Sequence, residues 1–102
     1  MSKWRLPTLH ELCNAFDHET GKPKNSGFKS NYYVSSTTPI DDTNYVWVFG
    51  FFLGYALKTN KLVTNYVRCV KKKKSGKLKW SKPSKDKMTW SEACKYCERL
   101  NI

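Results

Sequence analysis

Two Thr-x-x-Glu sequences, one near each end of the chain, constrain the fold more than any other feature. In Thr8-Leu9-His10-Glu11 and in Thr89-Trp90-Ser91-Glu92, hydroxyl and carboxylate can each satisfy a backbone N–H that a helix start leaves open. Apolar residues then recur at helical spacing: Leu9, Leu12, Cys13 and Phe16 after the first box, and Trp90, Ala93, Cys94, Cys97 and Leu100 after the second. Met88 and Ala93 flank the second box as a hydrophobic staple. Pro7 discourages helix ahead of the first, which is expected to end near Asp17.

Between the two helices the pattern changes to β. His18 to Ser30 is rich in Gly, Pro, Lys, Asn and Ser and reads as a loop. The runs "NYYVSSTT", "YVWVFGF" and Tyr55 to Lys58 read as strands, with a turn at Asp41-Asp42-Thr43-Asn44. Gly50 inside the second run points to a bulge or a close approach. "NYVRCV" and "KLKW" are further strand candidates, joined by "KKKKSG" as a hairpin connection. The expected fold class is α+β: a small antiparallel sheet of four to five strands with two helices set apart from it. With 102 residues, one domain spans the chain and can bury a core without obligatory staples.

The charge is concentrated. Residues 58–87 carry twelve Lys or Arg against the single acid Asp86, whereas seven basic and seven acidic residues balance elsewhere. A local field of this kind attracts polyanions and makes their binding steeply salt-dependent. An aromatic content of 15 % argues for a packed globule rather than a basic disordered tail. The longest apolar run, "YVWVFGFFLGYAL", is too short to cross a bilayer. No charged-then-apolar leader opens the sequence, so the expected location is cytoplasmic and the four cysteines are expected to be mostly reduced.

Several stretches together resemble one family. "WRLPTLHEL", "YYVSSTT", "YVWVFGFFLG" and "YVRCVK" are similar to successive signatures of the bacterial Lcl-type C-terminal domain, a family often found in surface-exposed or secreted proteins. The resemblance implies a C-type-lectin-like fold. Val34 stands where the family usually has Trp. The order also departs: a strand like "LKWSKP" and a helix like "MTWSEACKYCERL" precede WRLPT in the family and come last here. The chain therefore resembles a circular permutant, with "KKKKSGK" bridging the former ends. The resemblance further implies that Cys69 faces Cys97, a pair that C-type-lectin-like domains often bridge. In a permuted monomer Ile102 returns to Met1; a domain-swapped dimer is the alternative.

Weighed on chemistry, the lysine cluster is the leading candidate site. Lys71, Lys72, Lys73, Lys74, Lys77 and Lys79 would supply a binding field, although the same lysines also keep a sheet edge soluble. Trp80 and Tyr66 lie close enough in sequence to stack on a ligand, with a core role favoured for Trp80. Four cysteines can build a zinc site, but Cys94 and Cys97 occupy an apolar helical stripe and read as buried structural residues. Asp41, Asp42 and Asn44 lack a calcium-lectin signature and read as an Asx-rich turn. His10 and Cys13 fall at i, i+3 without a third orienting group. No catalytic residue, metal or cofactor is expected. The expected function is a non-catalytic binding module for a polyanion (glycosaminoglycan-like or nucleic acid) or a carbohydrate. The alternatives are a small cytoplasmic nucleic-acid-binding protein and a protein–protein assembly module whose charge is incidental.

Overall fold

The computed structural model describes residues 2–102. Both capping boxes form. Thr8 and Thr89 accept from the backbone N–H of Glu11 and Glu92, and each glutamate carboxylate accepts in return from the threonine N–H. They open α1 (Leu9–Asn14) and α2 (Trp90–Arg99). α1 ends earlier than expected, because the chain turns at Ala15 into β1 (Phe16–Asp17), which pairs with β2 (Lys22–Pro23) inside the stretch read as loop. Phe16 still reaches the same core from there, edge-to-face with Phe49 and Phe51 at 5.8 and 6.1 Å.

The central sheet is antiparallel, in the order β3 (Tyr32–Val34), β4 (Tyr45–Gly50), β5 (Tyr55–Asn60). Register runs unbroken from Tyr45 opposite Asn60 to Gly50 opposite Tyr55. Gly50 therefore marks a close approach and not a bulge: a Cβ there would meet the rings of Tyr32 and Phe52 at 3.0 and 3.1 Å.

Because side chains alternate along a strand, β4 feeds two cores. Val46 and Val48 join Val34, Leu6, Val67 and Cys69 under Ala93 and Cys97 of α2. Phe49 joins Tyr33, Phe51, Leu12, Ala15 and Phe16 on the side of α1. Each helix thus covers its own apolar cluster, one on either face of the strand. The α+β class holds, with flanking helices in place of segregated ones.

A third sheet, of two strands, completes the described residues: β6 (Val70–Lys72) pairs with β7 (Leu78–Trp80). The run "NYVRCV" is a correction, since only Val70 of it lies in a strand. Asn65 and Tyr66 make single bridges to Met88 and Tyr33, and the backbone N–H groups of Val67 and Cys69 donate instead to the hydroxyls of Ser84 and Ser81. Arg5 pairs across the other edge with Val70, through two 2.9 Å backbone hydrogen bonds.

Cys69 and Cys97 are joined by a disulfide, their Cα atoms 5.6 Å apart, which corrects the reduced-thiol expectation for that pair. Cys13 and Cys94 are free. The return of Ile102 to Met1 falls on a residue outside those described. Nearby, however, the Trp4 N–H donates to Asn101 Oδ1 at 2.7 Å and Asn101 Nδ2 donates back to the Trp4 carbonyl at 3.1 Å. Leu100 departs from the expected apolar stripe: as the cap of α2 it is 40 % exposed.

Candidate functional site

The lysine segment forms a hairpin whose register decides which charges meet. Lys71 lies opposite Lys79 and Lys72 opposite Leu78. The Lys73 N–H donates to the Lys77 carbonyl at 2.7 Å and the Gly76 N–H to the Lys73 carbonyl at 2.9 Å. Gly76, at φ +86°, supplies the left-handed residue that this tight return requires. By the two-residue alternation, Lys71, Lys79, Lys73 and Lys77 share one face. Lys72 goes to the other, beside Leu78. Lys74 sits in the turn and lines, with Ser2 and Lys71 to Lys73, a notch of about 250 Å³. The six lysines named from the sequence are thus a face of four with two flanking.

That face stacks like charges on directly opposed positions, an arrangement that destabilises a sheet. Among the described residues the one salt bridge is Arg5 to Glu11 at 2.8 Å, so no carboxylate neutralises the array. Lys71 is half-buried and the other five are exposed. The Arg5–Val70 pairing extends the face by one strand and brings Trp4 alongside Lys71, whose Nζ stands 4.8 Å from the Trp4 ring centroid. Sequence spacing gave no hint of this row, since its aromatic member comes from the opposite end of the chain.

At the foot of the face, the disulfide from Cys69 pins α2. The helix end, the N-terminal segment and β7 enclose a groove of about 470 Å³ lined by Trp4, Lys79, Trp80, Ser81, Lys82, Tyr96 and Leu100. Trp80 is half-buried against the α1-side core and edge-on to Phe28 at 5.1 Å. It therefore serves the core and one wall of the groove together. Tyr66 does not join it: that ring lies beside Tyr33 with Lys29 and Lys87 over it at 4.4 and 5.6 Å.

Behind the groove Arg68 carries a further unpaired charge. Its guanidinium donates to the carbonyls of Ser81 and Ser26 at 2.5 and 2.8 Å and lies 4.5 Å from the Phe28 ring centroid. Burial pulls its pKa below the usual arginine value, yet a guanidinium stays charged in a protein.

The Cys69–Cys97 bridge consumes two of the four thiols a zinc site would need, and burial, with Glu98 nearby, pushes the Cys94 thiol up, which leaves little thiolate at neutral pH. Asp42 accepts from the Asn44 N–H at 3.2 Å, an Asx turn. His10 Nε2 lies 3.1 Å from Asn14 Nδ2. His10 and Cys13 both line an apolar cleft of about 500 Å³ between α1 and the sheet. Among the described residues no group of three or more His, Cys, Asp or Glu is placed to hold a metal ion, and no helix is long and apolar enough to cross a membrane.

A family model described as the Lcl C-terminal domain matches residues 1–71. The chain belongs to that family. No curated protein and no solved structure matches the chain. In this Lcl-type domain the family match takes in α1, the central sheet and β6 up to Lys71, so the hairpin turn, β7 and α2 lie beyond it.

Proposed function

We propose that this Lcl-type domain is a non-catalytic binding module that engages polyanions through the β6–β7 face. Lys71, Lys73, Lys77 and Lys79 form its centre, with Lys72 and Lys74 widening the field. One observation carries the reading: two like-charged cross-strand pairs stand without an acidic partner, in a chain whose charge balances outside residues 58–87. A bound polyanion would remove that repulsion and release its own counterions. Changing the four central lysines to Gln should lower the slope of log affinity against log salt by roughly 3, at about 0.7–0.9 per lost phosphate-type contact. An unchanged slope for heparin and for duplex DNA would rule the face out.

We read the architecture as a permuted C-type-lectin-like domain. The bridge between Cys69 and Cys97, the hydrogen bonds between Trp4 and Asn101, and the family match that stops at the hairpin all support this reading. On it, β7 and α2 occupy the place of segments that precede WRLPT in the family.

A further inference from the structure

We infer that the polyanion this face takes is a single-stranded nucleic acid, whose bases stack in the groove while the lysines follow its phosphates; this rests on the polyanion reading above. The groove combines two features. Its walls are the planar or apolar side chains of Trp4, Trp80, Tyr96 and Leu100, and its rim carries Lys79 and Lys82. It also opens onto the lysine face, because Trp4 extends the Lys71–Lys79 row. A groove of this composition alternates with the chemistry of a single strand, which presents a charged phosphate and a flat ring in every repeat.

The competing polyanions fit less well. A sulfated sugar has no aromatic ring to lay against these walls, and its hydroxyls would find partners in the lysines, the indole N–H groups and Tyr96. The one serine hydroxyl in the groove lining, Ser81 Oγ, already accepts from the Cys69 N–H at 2.8 Å and donates to the Lys82 carbonyl at 3.0 Å. A duplex keeps its base faces stacked inside and offers the aromatic walls only its backbone. Lys71 stands over one face of the Trp4 ring, so a base in the groove would lie on the opposite face, with the ammonium across the indole from it.

The experiment is a fluorescence-anisotropy titration of the full chain with a labelled oligothymidylate, a duplex of equal length and a heparin fragment at one salt concentration. The expected result is at least about tenfold tighter binding of the single strand than of the duplex, with quenching of tryptophan emission on binding. Trp4→Ala and Tyr96→Ala should each weaken single-strand binding by about 5- to 100-fold, the effect of losing one stacked base, and leave heparin binding within about twofold. Trp4→Phe should restore most of the loss, and it guards against misfolding of the Ala variant. Equal affinity for all three probes, with no tryptophan quenching, would overturn the groove assignment and leave the polyanion face standing. Binding to none of them would remove both. Tighter binding of heparin than of the oligothymidylate, unaffected by Trp4→Ala, would assign the face to a glycan instead.

Discussion

The central sheet and the lysine hairpin are both antiparallel and lie in one small domain, yet they are built on opposite terms. β4 has a packed cluster on each face, Val46 and Val48 toward α2 and Phe49 toward α1. Burial of its apolar side chains, about 1.5–3 kcal/mol each, more than holds the strand in place. The β6–β7 hairpin buries Val70 and half-buries Trp80, while its outer pairs are Lys71 with Lys79 and Lys73 with Lys77. It is held from outside by the Arg5 bridge, by the disulfide and by Arg68 behind it. The contrast separates a region held by its own burial from a region whose like charges are offset by its neighbours.

The largest expected effect comes from removing what covers one face of the sheet. Deleting residues 88–102 strips Ala93, Cys97 and the half-buried Trp90 and Tyr96 from the cluster over Val46 and Val48. The truncated chain should lose its cooperative thermal transition. A full transition in the truncated chain would break the comparison, since the sheet would then not need α2. Light scattering on the intact protein should give a monomer mass; a dimer mass would point to α2 docking on a second copy.

Reducing the Cys69–Cys97 bridge, which spans a sequence separation of 28, should cost about 2–4 kcal/mol. Beyond that global cost, the loss should fall most heavily on the hairpin: hydrogen exchange should quicken more in the backbone of β6 and β7 than in β4. Uniform loss of protection would show the two regions to be one cooperative unit.

A smaller effect of opposite sign is expected from Lys79→Glu. It turns a like-charged pair with Lys71 into an attractive one, worth up to about 1 kcal/mol of added stability, while weakening polyanion binding. Urea denaturation at low salt measures the first and anisotropy the second. Loss of stability would mean that the lysines are not in conflict.

The smallest effect is at the first helix start. Glu11 has its carboxyl held below the ordinary value of 4.5, first by its hydrogen bond with Arg5 and then by the Thr8 N–H, against an opposing desolvation. A depressed carboxylate contributes stability above its unfolded pKa and loses it as pH falls through the folded one. The contribution should therefore be full at pH 7 and fade below about pH 4.3. Glu11→Gln should cost no more than about 1 kcal/mol at pH 7, because the ion pair is partly solvated. The variant's stability curve should converge on that of the parent chain in acid.

What could be read in advance follows how local each cause is. Thr8 and Thr89 act within three residues, so both helix starts were legible. β4 was legible from its run of β-branched and aromatic residues, and the hairpin from Ser75-Gly76 between lysines. β1 and β2 were not, because two-residue strands owe their existence to Phe16 packing against Phe49 and Phe51. Asn65 to Cys69 looked like a strand by composition, but serine hydroxyls take the hydrogen bonds that a neighbouring strand would have made. The lysines of the site were visible in sequence. Trp4 and Tyr96 were not tied to them, since long-range contacts, among them the Arg5–Val70 bridge, the Trp4–Asn101 hydrogen bonds and the disulfide, bring those segments together.

The paired hydrogen bonds between Trp4 and Asn101 also set how the domain bears tension. Trp4 and Asn101 stand side by side, so a pull between them would peel the N-terminal segment and the last turn of α2 apart before load reached the central sheet. Peeling would stop at the cysteines. The bridge short-circuits the 28-residue separation between Cys69 and Cys97, which takes about 90–100 Å of extended chain, at roughly 3.3–3.6 Å per residue, out of the pull's reach. The lysine hairpin lies within that protected stretch and would not be drawn out while the bridge holds.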